Sequence, residues 1–195
     1  MFTGIIEEIA EVIALEKEGS NINFSLTSPI TNELKIDQSL SHNGVCLTVV
    51  DVSEGSYTVT AVKETLEKSN LTLLEVGSKV NIERSIKIGG RIDGHMVQGH
   101  VDQRGVCTHI KKYNGSHILT FEYELSNNIT VEKGSVCVNG VSLTVINSKE
   151  NTFSVTIIPY TFEHTNLHTI KEGSVVNIEF DILGKYIARM FIKES

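Results

Sequence analysis

No Cys-x-x-Cys pair occurs in these 195 residues, and the three cysteines present, Cys46, Cys107 and Cys137, cannot all pair. That pattern argues against a disulfide framework and for reduced thiols in a cytoplasmic protein. No apolar run approaches the ~18–20 residues that a membrane-crossing helix needs. The start, Met1-Phe2-Thr3-Gly4, lacks the basic region and apolar core of a secretory signal. Basic excess is missing too. The net charge is −7, which excludes the positive footprint required by nucleic acid. Neither a Gly-x-Ser-x-Gly nucleophile motif nor a phosphate loop ending in Gly-Lys-Ser/Thr is found. The run Gly89-Gly90-Arg91-Ile92-Asp93-Gly94 is therefore read as a linker. His95 and His100 have four residues between them and no Cys or Glu clustered beside them, a weak metal signal, so no metal is assigned.

What the chain has is a repetition. Asn43-Gly44-Val45-Cys46-Leu47-Thr48-Val49 returns as Asn139-Gly140-Val141-Ser142-Leu143-Thr144-Val145. At a constant offset of 96, residues 39–83 and 135–179 are identical at 20 of 45 positions without a gap. A period this long means two whole domains rather than the short units of a solenoid. We divide the chain into residues 1–88, 89–181 and a C-terminal helix, 182–195.

Both halves are dominated by period-two alternation, as in Asn21-Ile22-Asn23-Phe24-Ser25-Leu26 and Lys79-Val80-Asn81-Ile82-Glu83. Such runs put one face on a core and the other in water. Several short strands per ~90 residues predict a small antiparallel barrel, which leaves no open sheet edge. The Asn-Gly pairs read as tight turns feeding strands. Short helical turns are expected at 30–34, 63–66 and 159–162. Gly4 and Gly99 occupy matching places and are expected to open the first strand of each barrel. In 182–192, Leu183, Tyr186, Ile187, Met190 and Phe191 form one apolar helical stripe with no counterpart after the first half.

The copies differ where chemistry could reside. Cys46 matches Ser142, Lys63-Glu64 match Pro159-Tyr160, and Ile5 matches His100. Two pockets of similar shape and different chemistry follow from that pattern.

Taken as a set, the start Met-Phe-Thr-Gly-Ile-Ile-Glu, both Asn-Gly-Val-x-Leu-Thr-Val copies, Lys63-Glu64-Thr65, residues 94–102 and Ile158-Pro159 resemble the riboflavin synthase family. The resemblance covers essentially the whole chain. It implies an all-β fold of two duplicated six-stranded antiparallel Greek-key barrels, with a C-terminal α-helix that builds a homotrimer. It implies a transferase that dismutates two 6,7-dimethyl-8-ribityllumazine molecules to riboflavin and 5-amino-6-ribitylaminouracil, with neither metal nor redox cofactor. The two substrates would meet in N- and C-barrel pockets of neighbouring subunits, and association with a lumazine synthase shell stays open. Carried over by motif, one pocket would use Gly4, Ile5, Ile6, Ser39, Cys46, Leu47, Thr48, Thr60, Ala61, Val62, Lys63, Glu64 and Thr65. The other would use Gly99, His100, Val101, Lys133, Ser142, Leu143, Thr144, Thr156, Ile157, Ile158, Pro159, Tyr160 and Thr161. Ser39, Cys46 and His100 are the expected catalytic groups, joined by Asp181 as a partner for the other pocket or the interface, with capping of the last helix as its purely structural role. The alternative is a lumazine protein, which carries the ligand without turning it over; the intact Ser142-Leu143-Thr144, Cys46 and His100 favour the enzyme.

Overall fold

The computed structural model describes residues 1–126 and 128–191. Strands β1 (Glu8–Glu18), β2 (Asn21–Thr27), β3 (Ser39–His42), β4 (Val45–Ser53), β5 (Ser56–Ala61) and β6 (Lys79–Arg84) build the first half. They close in the order β1-β2-β5-β4-β3-β6, every pairing antiparallel. The second half repeats this with β7 (Gln103–Tyr113), β8 (Ser116–Tyr123), β9 (Ser135–Val138), β10 (Val141–Ile146), β11 (Thr152–Ile157) and β12 (Val175–Phe180). The expected pair of six-stranded barrels is therefore present. Each first strand slips register, between Val12 and Ala14 and between Cys107 and His109. Bulges of this kind bend a strand enough to close a small sheet on itself.

Alternation decides which residues fill the barrels. Along β5, Tyr57, Val59 and Ala61 point inward and are fully buried, while Thr58 and Thr60 are half-buried on the outer face. Two separate apolar cores result, one around Phe24, Leu40 and Ile82, the other around Phe121, Phe153 and Ile178. Helices α1 (Lys63–Lys68) and α2 (Pro159–Glu163) follow the fifth strand of each barrel, and Pro159 sits at the first helical turn as its missing N–H allows. The turn expected at 30–34 is a single 3-10 turn, Thr31–Glu33. Helix α3 (Ile182–Phe191) closes the described chain, leaving Leu183, Tyr186, Ile187 and Met190 exposed. Positions 192–195 of the expected helix lie outside the described residues. No helix among the described residues is long and apolar enough to cross a membrane.

The Asn-Gly turns carry more than a hairpin. Asn43, Gly44, Asn139 and Gly140 all have positive φ, the geometry of a two-residue turn with right-handed twist. They also press the barrels together: a Cβ on Gly44 would lie 2.9 Å from the Gly140 nitrogen, and one on Gly140 would lie 2.8 Å from that of Gly44. Around this contact six asparagines form a buried network. The Nδ2 of Asn81 donates to the Asn139 carbonyl at 2.9 Å, and that of Asn177 to the Asn43 carbonyl at 2.8 Å. Asn70 N–H donates to Asn177 Oδ1, and Asn166 N–H to Asn81 Oδ1, each at 2.6 Å. Pairing lets the donors of these amides leave water without an unsatisfied-group penalty of about 1–3 kcal/mol each, while the Asn70 Oδ1 is buried without a partner among the described residues.

Candidate active site

The segments that lead into the two barrels cross over. Phe2 and Val97 pair as an isolated antiparallel bridge, with Phe2 N–H donating to Val97 O at 2.7 Å and Val97 N–H to Phe2 O at 3.1 Å. Beyond the bridge each leader reaches the opposite barrel. Ser142 N–H on β10 donates to Gly4 O, and Cys46 N–H on β4 donates to Gly99 O, both at 2.8 Å. Gly4 and Gly99 have φ +75° and +80°, and a Cβ on either would fall 2.6 Å from the Cβ of Ser142 or Cys46. Only glycine passes so close at that dihedral. The expectation that these glycines open strands is corrected: β1 and β7 start four residues later, because the glycines are spent on the crossing.

Two cavities flank the crossing. One, about 550 Å³, is lined by Gly4, Ile5 and Ile6 together with Val141, Ser142, Tyr160, Thr161 and His164. The other, about 490 Å³, is lined by Val45, Cys46, Glu64, Thr65, Gly99, His100 and Val101. The structure groups these residues differently from the sequence expectation: residues 4–6 line a cavity with Ser142, and residues 99–101 line one with Cys46. Motif order along the chain suggested each leader stays with its own barrel, and the Phe2–Val97 bridge prevents it. A larger groove of about 740 Å³ on the outer wall of the second barrel, between Arg104, Val106, Tyr123 and Leu125, holds none of the expected residues.

Several other expected residues stand elsewhere. Leu47, Ala61, Leu143 and Ile157 are buried in the barrel cores, since alternation turns every second residue of a matching run inward. Thr48, Val62, Lys63, Thr144, Thr156, Ile158 and Pro159 are exposed and line neither cavity, and Lys133, whose own φ is +66°, is exposed too. Thr60 donates its hydroxyl to Asn23 Oδ1 at 2.7 Å. Ser39 pairs across the ladder with Thr48, one inward-outward step from the Ser41–Cys46 pair. Asp181 accepts the Leu183 N–H at 3.0 Å on Oδ1, the capping role at the start of α3.

Inspection of the sequence alone missed His95. Its Nδ1 lies 2.7 Å from Ser142 Oγ, inside hydrogen-bond range. Burial holds its imidazole below the usual range, with the charge of Asp181 working the other way, so it is a neutral ring able to exchange a proton with the serine. A separation of 47 residues hid the pair, although the His-Met-Val-Gln-Gly-His run drew notice. Cys46 is half-buried at its cavity and, among the described residues, has no side-chain hydrogen bond to a histidine, whereas Cys107 and Cys137 are buried with their thiols pushed up, Cys107 to about 11. No group of three or more His, Cys, Asp or Glu side chains is placed to hold a metal ion among the described residues.

The chain matches the Lumazine binding domain family twice, over residues 3–85 and 98–181. It is 39% identical over 197 residues to riboflavin synthase of Bacillus amyloliquefaciens, spanning 99% of this chain and 91% of that one. It is 37% identical to riboflavin synthase of Actinobacillus pleuropneumoniae, covering 100% and 91% of the two chains. Among solved structures, LumP complexed with 6,7-dimethyl-8-(1'-D-ribityl) lumazine superposes with a TM-score of 0.84 at 22% identity, over 92% of this chain and 98% of that one. LumP complexed with riboflavin gives 0.85 at 23%, over 92% and 99%; these are likenesses of fold. Architecture and matches together define a tandem lumazine-binding barrel protein. Within that class, the chain belongs to the riboflavin synthase family.

Proposed function

We propose that the protein is a riboflavin synthase, a transferase that converts two molecules of 6,7-dimethyl-8-ribityllumazine into riboflavin and 5-amino-6-ribitylaminouracil. One observation carries the reading beyond kinship: two cavities of nearly equal size, built on equivalent strands, differ at the same position, Cys46 against Ser142. A dismutation needs that arrangement, because identical molecules must be held in different roles. The four-carbon unit leaves one ring and joins the other, so the rings must be stacked in attack geometry, which alone can lower the barrier by several kcal/mol. The 7-methyl group of the substrate is acidic because its anion spreads into the ring. Modest proton transfer then suffices, and His95 acting through Ser142 Oγ supplies it in one pocket while Cys46 and His100 border the other.

The two cavities share no lining residue, which supports a reading in which pockets of two chains face one another. The exposed apolar stripe of α3 supports a homotrimer that would bring them together. Three free thiols support a cytoplasmic protein. Mixing purified protein with 6,7-dimethyl-8-ribityllumazine, without metal or nucleotide, tests the proposal. One riboflavin per two lumazines consumed is the expected result; tight fluorescent binding without turnover would make the protein a carrier instead.

A further inference from the structure

We infer that Glu83 and Glu179 are positioning residues for the two pockets, each fixing the backbone of the leader that its own barrel extends into the other. The inference rests on the two-pocket reading of the function. Glu83 lies on β6 and Glu179 at the equivalent place on β12, and only 4% and 2% of their surfaces are exposed. The Oε1 of Glu83 accepts the Thr3 N–H at 2.6 Å and the Thr3 hydroxyl at 2.7 Å, while its Oε2 accepts the Gly4 N–H at 2.9 Å. Glu179 accepts the Gln98 N–H on Oε1 at 2.6 Å and the N–H groups of Gly99 and His100 on Oε2 at 2.9 and 2.8 Å. No lysine or arginine pairs with either carboxylate among the described residues.

A buried carboxylate without a cation is costly and persists where its shape is needed. Here the need is geometric. Three donors converge from one short stretch of backbone, and a carboxylate is the side chain that offers acceptor lone pairs on both terminal oxygens. A glutamine would turn an NH₂ toward an N–H. The stretch so held continues directly into the pocket lining: Ile5 and Ile6 after Glu83's contacts, and His100 itself among those of Glu179. Glu83 on the first barrel thereby sets the wall of the Ser142 pocket, and Glu179 on the second sets the wall of the Cys46 pocket.

Burial raises the carboxyls of both clamps above the usual carboxylate range. Burial pushes the Glu179 carboxyl up to about 7, against the lowering effect of its backbone donors and of Lys185 on α3; Asp102 adds to the rise. The Cys137 thiol on β9 also faces both carboxylates, and Glu7 faces Glu83. When Glu179 takes a proton it loses part of its accepting capacity, so the leader at the Cys46 pocket loosens as pH falls through about 7.

The test compares Glu179→Gln and Glu83→Gln in the full chain by amide hydrogen exchange and by methyl resonances during titration with 6,7-dimethyl-8-ribityllumazine. Glu179→Gln is expected to speed exchange at residues 98–100 and leave residues 3–4 protected. It should weaken binding reported by Val101 on the order of tenfold or more, the scale of a misplaced binding segment, while binding reported by Ile5 is retained. Glu83→Gln should give the mirror result, and the pH dependence of the Val101 site should vanish in Glu179→Gln. Equal damage to both pockets, or wild-type binding and exchange, would overturn the inference. Should a glutamine variant fail to fold, the aspartate variant, one methylene short, is read by the same two signals. Absence of lumazine binding in the wild-type protein would overturn the proposed function alone, since the exchange pattern still upholds or overturns the clamp.

Discussion

At one register position the first barrel buries His42 where the second buries Val138, and opposite it Tyr57 stands where the second has Phe153. His42 Nδ1 lies 3.1 Å from the Leu40 carbonyl and must donate to it, so Nε2 accepts the Tyr57 hydroxyl at 3.0 Å. The second barrel solves the same packing problem with hydrocarbon alone. Backbone register has survived the duplication while the chemistry placed on it has separated. The pockets repeat the lesson, with a thiol at Cys46 and a histidine-bonded hydroxyl at Ser142.

Substitutions at matched positions can break this comparison. The largest contrast is expected at the end of the sixth strands. Phe180 is buried against Tyr123, with ring centroids 5.2 Å apart, so Phe180→Ala should cost about 3–5 kcal/mol in denaturant unfolding. His42 comes next, through pH. Burial lowers its pKa to about 4, so the folded state keeps it neutral while the unfolded chain takes up a proton near pH 6.5. Its contribution is intact above about 6.5 and is lost as pH falls toward 4, roughly 3 kcal/mol in all. The double change His42→Val with Tyr57→Phe, which copies the second barrel, should flatten that part of a stability–pH curve.

Ser142→Ala should reduce turnover on the order of a hundredfold by removing a proton-transfer partner, with little change in melting temperature. Cys46→Ser, which gives the first pocket the second's atom without its histidine, should lose less; equal losses would erase the asymmetry. Asn43→Ala and Asn139→Ala should each cost about 1–3 kcal/mol, and by similar amounts, because the seam is symmetric. The smallest effect is expected at Arg84, the counterpart of Phe180. Its ion pairs with Glu7 and Glu33 are about one-third exposed or more, so Arg84→Ala should cost under about 1 kcal/mol and less in high salt.

Much of the architecture is legible in the sequence because its causes are local or periodic. The duplication, the strand alternation and the proline at the start of α2 all depend on neighbours within a few residues. The pocket membership does not. Whether Gly4 belongs with Cys46 or with Ser142 is decided by the Phe2–Val97 bridge, a contact 95 positions long with no periodic trace. His95 and Ser142 are separated in the same way. The Asn-Gly turns show a third kind of limit. Their turn geometry is written in the dipeptide, but their second role, as the contact between barrels, depends on the side-chain amides of Asn81 and Asn177 reaching across to the Asn139 and Asn43 carbonyls. Leu47, Ala61, Leu143 and Ile157 fall within the matching runs yet face the cores, because such a run includes both faces of a strand.

The crossing of the leaders bears on how such a protein could diversify. Neither pocket is owned by one half: a change in residues 4–6 alters the cavity around Ser142, and one in residues 99–101 alters that around Cys46. If two separate copies of a single barrel associated through the same exchange, every substitution would appear in both cavities at once, and the pair could never hold unlike residues. Joining the copies in one polypeptide removes that constraint. The linker at 89–94 is thus a device for heredity as much as for folding, since it lets one site keep a thiol while its twin acquires a histidine-bound hydroxyl.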